Sequence, residues 1–60
     1  MTHTEHEVLA YLERLPAGFG QTTEGIYDRL DLSLAQVRRA LTSLRKQGLV
    51  TKRDGLWVRR

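Results

Sequence analysis

The segment Ser33–Val50, S-L-A-Q-V-R-R-A-L-T-S-L-R-K-Q-G-L-V, constrains the fold of this chain more than any other stretch. Leu34, Val37, Leu41 and Leu44 recur at intervals of three, four and three residues. That spacing lays apolar side chains along one face of an α-helix. Both ends are punctuated. Ser33 followed three residues later by Gln36 makes a capping box, in which each side chain satisfies a free backbone amide of the other. Gly48, just after Arg45-Lys46-Gln47, stands where a helix ends on a left-handed residue. Beyond it the pattern changes. Leu49–Arg53 and Leu56–Arg60 are β-prone runs joined by Asp54-Gly55, a dipeptide that accepts positive φ at both centres of a type I′ turn. A capped helix leading directly into a hairpin is the expectation for the second half.

The first half reads as two helices. Val8, Leu9, Tyr11, Leu12 and Leu15 make a stripe over Thr4–Leu15. Thr4 and Glu7 have the capping-box spacing, and Glu5 and Glu7 suit the positive end of the helix dipole. Pro16 biases Leu15 away from helical dihedrals and closes the helix. Ala17–Gly20 is a turn from which Phe19 is expected to anchor in the core. The second helix should begin at Thr22 or Thr23 and run to Leu30, with Ile26, Tyr27 and Leu30 as its apolar positions. Gly25 costs it about 1 kcal/mol relative to Ala, and a glycine there suits a close helix–helix approach. Tyr11 and Tyr27 are assigned to the core. Trp57 is read first as a core plug and second as a base-stacking residue. Strand alternation leaves that choice open, because Leu56/Val58 and Val50/Trp57 fall on opposite hairpin faces and both pairs are apolar.

Size and composition exclude whole classes of protein. A 60-residue chain buries only about 60% of its unfolded surface, enough for one core. A single domain over residues 1–60 is therefore expected, α+β and mainly α. Cysteine is absent, which removes disulfides and thiolate zinc sites. No apolar run approaches the ~18 residues of a membrane span, and no signal peptide is evident, so a small cytoplasmic protein is expected. His3, His6 and Glu7 superficially resemble metal ligands, but they lie at a terminus and lack a fourth partner. No nucleophile–base pair and no phosphate-binding glycine loop is visible. Neither catalysis, a metal nor a cofactor is expected.

Charge is divided along the chain. Residues 1–31 carry six acids and two bases, a net of −4, and residues 32–60 carry eight bases and one acid, a net of +7. The order helix, helix, tight turn, helix, hairpin is that of a helix-turn-helix followed by a wing. Thr23–Leu30, Ser33-Leu34, Val37, Leu41, Leu44, Gly48-Leu49-Val50 and the Asp54-Gly55 turn together resemble the winged helix-turn-helix of the broad MarR/ArsR-like type. The resemblance covers almost the whole chain. It implies a double-stranded DNA binder in transcriptional or replicative control, associated with the nucleoid, whose third helix enters the major groove.

Helical geometry at about 100° per residue turns Ala35, Arg39, Thr42, Ser43 and Lys46 away from the core stripe. Gln36 lies at one margin, with Arg38 and Arg45 toward the flank. The chemistry of each side chain assigns its role. Arg39 can take a guanine O6/N7 edge with two hydrogen bonds, and Gln36 can do the same for adenine. Ser33, Arg38, Thr42, Ser43 and Lys46 suit phosphate oxygens. Lys52 and Arg53 precede the wing tip, facing a neighbouring backbone or minor groove, and Arg59 and Arg60 extend the basic surface. Thr23, with Thr22, opens the second helix, whose free amides suit another phosphate.

Two other readings use the same features. A winged helix that binds proteins rather than DNA would dock a basic partner, or a second copy in a homodimer, through Glu5, Glu7, Glu13, Glu24, Asp28 and Asp31. A winged helix that binds Z-form nucleic acid resembles this chain in Leu56-Trp57 and in Ser43-Leu44…Gly48. That family's recognition helix carries an Asn-Arg pair and a later Tyr, where this chain has Arg38-Arg39 and Thr42. Only Arg39 is retained, and the paired prolines of that wing are missing.

Overall fold

The Ser33–Val50 pattern folds as its spacing dictates. In the computed structural model, which describes residues 1–60, the third helix (α3) spans Leu34–Lys46 and buries Val37, Ala40, Leu41 and Leu44. Its capping box is complete. The Gln36 amide donates to Ser33 Oγ at 3.1 Å, and the Ser33 amide donates to Gln36 Oε1 at 2.9 Å. Gly48 follows at φ 77°.

The first helix (α1) spans His3–Arg14 and the second (α2) Thr23–Arg29. The α1 cap differs from the Thr4/Glu7 box expected above. Thr-His-Thr-Glu-His-Glu contains two overlapping Thr-x-x-Glu frames, and the helix uses the earlier one, Thr2 with Glu5. The Glu5 amide donates to Thr2 Oγ1 at 3.1 Å and the Thr2 amide to Glu5 Oε1 at 2.7 Å. Packing selects this frame. Glu5 continues the buried stripe of Val8 and Leu12, while Glu7 turns outward and pairs with His3, Nε2 to Oε1 at 3.0 Å. Leu15, ahead of Pro16, is extended at ψ 148°, so the helix stops one residue earlier than expected.

In α2 the N-cap is Thr22, whose Oγ1 accepts from the Gly25 amide at 3.0 Å, and Leu30 leaves the helix at ψ 146°. A seven-residue helix turns only a narrow stripe inward, and Ile26 occupies it fully. Tyr27, one residue and about 100° further round, is exposed rather than core. Tyr11 is half-buried against the core. The space beside Gly25 is filled by the Gln21 side chain and not by another helix. That side chain accepts from the Thr22 amide at 2.9 Å and donates to Tyr11 Oη at 3.3 Å.

The hairpin pairs Val50–Arg53 (β1) with Leu56–Arg59 (β2) through a type I′ turn, Asp54 at φ 53° and Gly55 at φ 79°. A two-residue loop makes Arg53 and Leu56 exchange hydrogen bonds, so the next pair, Lys52 and Trp57, is a non-hydrogen-bonded one. At such pairs the side chains come closest, and both backbones turn their polar groups outward. The outward groups of Trp57 are met by Gln21. Its amide donates to Gln21 O at 2.8 Å and its carbonyl accepts from the Gln21 amide at 3.0 Å. The loop between α1 and α2 thereby adds a one-residue third strand to the wing.

This bridge also explains Phe19, which is 64% exposed rather than anchored in the core. The loop meets β2 through Gly20. A Cβ there would stand 2.8 Å from the Trp57 carbonyl oxygen and 2.9 Å from Leu56 Cβ and Val58 Cγ2. Backbone, not an aromatic ring, occupies the place against the wing. Nine buried residues, Val8, Leu12, Ile26, Val37, Ala40, Leu41, Leu44, Val50 and Trp57, form one core drawn from all three helices and both strands. Val58 is buried apart from them. Val50 and Trp57 face the core, and on the opposite hairpin face Val58 is buried while Leu56 is partly exposed. No helix is long and apolar enough to cross a membrane.

Candidate nucleic-acid interface

Opposite its buried stripe α3 carries Arg39, Thr42 and Lys46, with Arg38 and Arg45 toward the flank, all exposed. Arg38, Arg39, Thr42, Ser43 and Lys46 together line a shallow depression of about 500 Å³. None of the ten Lys and Arg side chains lies within 4.0 Å of a carboxylate; the one basic side chain that does is His3, beside Glu7. Lys52, Arg53, Arg59 and Arg60 are likewise exposed at the wing.

Several polar groups assigned to this surface from the sequence are engaged within the protein. Thr42 Oγ1 donates to the Arg38 carbonyl one turn back, at 3.0 Å. Ser33 and Gln36 are exposed but occupied by their capping box. Ser43, half-buried, faces α1. Its Oγ accepts from Gln47 Nε2 at 3.2 Å, the same amide that donates to the Glu5 carboxylate. Thr23 Oγ1 accepts from the Trp57 indole N–H at 3.0 Å.

Glu5 is the member of this region that the sequence did not single out as a partner of the third helix. It is 7% exposed. Gln47 Nε2 donates to its Oε2 at 3.2 Å, across 42 residues of chain. Hydrogen bonds from Ser43 and then from the Thr2 amide stabilise its charged form. They outweigh burial, which acts the other way, and bring its pKa from 4.5 to about 2. The sequence signal for this position is its spacing of three residues from Val8 and seven from Leu12, which places it on the inward stripe of α1. A groove of about 330 Å³ runs beside it, lined by Thr2, Thr4, Glu5, Gln36, Arg39, Ala40 and Ser43. Arg39 borders both depressions, standing at the crest between α1 and the open face of α3.

The wing supplies a second contact with no local signal in the sequence. Lys52 Nζ stands 5.4 Å from the centroid of the Trp57 ring, within the range of a cation–π interaction. Trp57 itself is buried, so the core assignment holds, and it joins the base of the wing to the start of α2. No group of three or more His, Cys, Asp or Glu is placed to hold a metal ion.

The sequence model of the MarR family matches residues 1–55. The chain belongs to the MarR family. No curated protein and no solved structure matches it. The matched span of this MarR-family domain takes in α1, α2, α3, β1 and the Asp54-Gly55 turn, and ends immediately before β2. Three helices followed by a two-stranded antiparallel wing make it a winged helix-turn-helix.

Proposed function

We propose that this MarR-family domain binds double-stranded DNA as a regulator of transcription. In this reading α3 enters the major groove, and the β1–β2 wing lies on the flanking backbone or minor groove. The observation that carries it is the convergence of Arg38, Arg39 and Lys46 on one open face, with no carboxylate to neutralise them. Unpaired positive charge at this density attracts a polyanion and releases its counterions. At about 1.5 Å per residue, α3 is some 20 Å long and fits a groove about 12 Å wide.

Arg39, at the crest, is the proposed base-reading residue, with Arg38 and Lys46 on phosphates and Lys52, Arg53, Arg59 and Arg60 along the flank. Thr42 can accept but not donate while its hydroxyl is bonded to Arg38 O. Ser33 Oγ and Gln36 Oε1 only accept within their capping box, so the Ser33 hydroxyl and Gln36 Nε2 stay free to donate to phosphate oxygens. Thr23 and Ser43 support the surface from behind through Trp57 and Glu5.

A salt titration on duplex DNA tests the proposal. About six phosphate contacts give a log–log slope near −5. Arg39→Ala is expected to relax sequence preference at one base pair by about 1–3 kcal/mol, measured by competition between duplexes. Absence of binding at low salt refutes the proposal.

A further inference from the structure

We infer that Trp57 is a positioning residue for the wing. It fixes the hairpin against α2 through Thr23 and holds the Lys52 ammonium in place for the DNA backbone. This inference rests on the duplex reading above and deepens it.

Four interactions converge on Trp57. Its amide and carbonyl are both bonded to Gln21, its indole N–H is bonded to Thr23 Oγ1, and its ring lies under Lys52 Nζ. A buried indole N–H needs an acceptor, and many would serve. Thr23 is the first residue of α2, the helix that leads into α3. Bonding there ties the wing to the helix-turn-helix itself. A hairpin of four-residue strands has little rigidity alone, and rotation about its base would break this bond. Lys52 faces Trp57 because the two-residue turn places them at a non-hydrogen-bonded pair. The ring therefore restrains a side chain that otherwise samples many rotamers.

The test uses four variants of the full chain. Thr23→Val removes the acceptor while keeping the shape, Thr23→Ser keeps the hydroxyl, Trp57→Phe keeps a ring without the N–H, and Lys52→Ala removes the charge. In the free protein, the Lys52 ε-methylene protons should resonate upfield under the Trp57 ring. They should move toward the unrestrained value in Thr23→Val and stay in Thr23→Ser. On duplex DNA, Lys52→Ala should reduce the salt slope by about 0.9, the value of one phosphate. Thr23→Val and Trp57→Phe should lose the same amount with unchanged sequence preference. Thr23→Val combined with Lys52→Ala should lose no more than either alone.

An unchanged Lys52 shift in Thr23→Val overturns the positioning role, as does a full salt slope in that variant or additive losses in the double variant. If Thr23→Val does not fold, the Trp57→Phe and Lys52→Ala pair decides by the same comparison. A wild-type chain with no affinity for duplex overturns the DNA reading and the wing contact with it. The proton shift separates that outcome from a failure of the positioning alone.

Discussion

Glu5 is an acid on the inward stripe of a helix, and its hydrogen bonds make that position tenable. The carboxyl titrates at about 2 in the folded chain against 4.5 unperturbed. The stability it contributes is therefore complete above pH 4.5 and lost as the pH falls toward 2. Urea unfolding of the wild type should show a falling midpoint across this window. In Glu5→Gln the same limb should be flatter, and the two proteins should converge toward pH 2. The neighbouring threonines separate in the same way. Thr2→Ala removes the α1 cap and should cost about 1 kcal/mol, whereas Thr4→Ala should stay within about 0.5 kcal/mol. Equal losses in the two unfolding curves would contradict the cap described above. Two Thr-x-x-Glu frames sit two residues apart, and local chemistry favours neither. The choice is made by α3, through Ser43 and Gln47, which lie far away in the sequence.

At the scale of elements, α3 and the hairpin were legible because their determinants are local: a stripe, a cap, a glycine stop and a turn dipeptide. The loop between α1 and α2 was not. Phe19 looked like an anchor because it is large and apolar, but the constraint acts on its neighbour Gly20. The bridge from Gln21 to Trp57 spans 36 positions and leaves no periodic trace. Gly20→Ala makes this visible. The added Cβ would meet the Trp57 carbonyl oxygen, a backbone atom that cannot swing aside. A loss of about 1–3 kcal/mol is expected, with reduced hydrogen-exchange protection of the Gln21 and Trp57 amides. The candidate interface divides along the same line. Arg39 and Lys46 followed from helical periodicity, which put Arg38 at the flank, whereas the engagement of Thr23 by Trp57 and of Glu5 by Gln47 required tertiary structure.

For the whole molecule, the division between a −4 half and a +7 half becomes a division between the α1–α2 side and the α3–wing side. One small core holds the two together, so global stability is modest, about 3–9 kcal/mol at the usual value per residue. A bound partner then shifts it visibly. Duplex at about 100 times its Kd should contribute about 2.7 kcal/mol and raise Tm by about 10 °C or more. Scanning calorimetry with and without duplex checks this, and an unchanged Tm would argue against binding to the folded state. The asymmetry of the wing has a consequence of another kind. With β2 flanked by both β1 and Gln21, the outer backbone groups of Lys52, which is exposed, form an open edge. Such an edge is a template for strand addition by another copy, and natural proteins guard it with charge. Lys52 and Arg53 stand on it. The cations that suit this strand to a phosphate backbone thus also protect it from amyloid-like stacking, and neutralising them would remove both properties together.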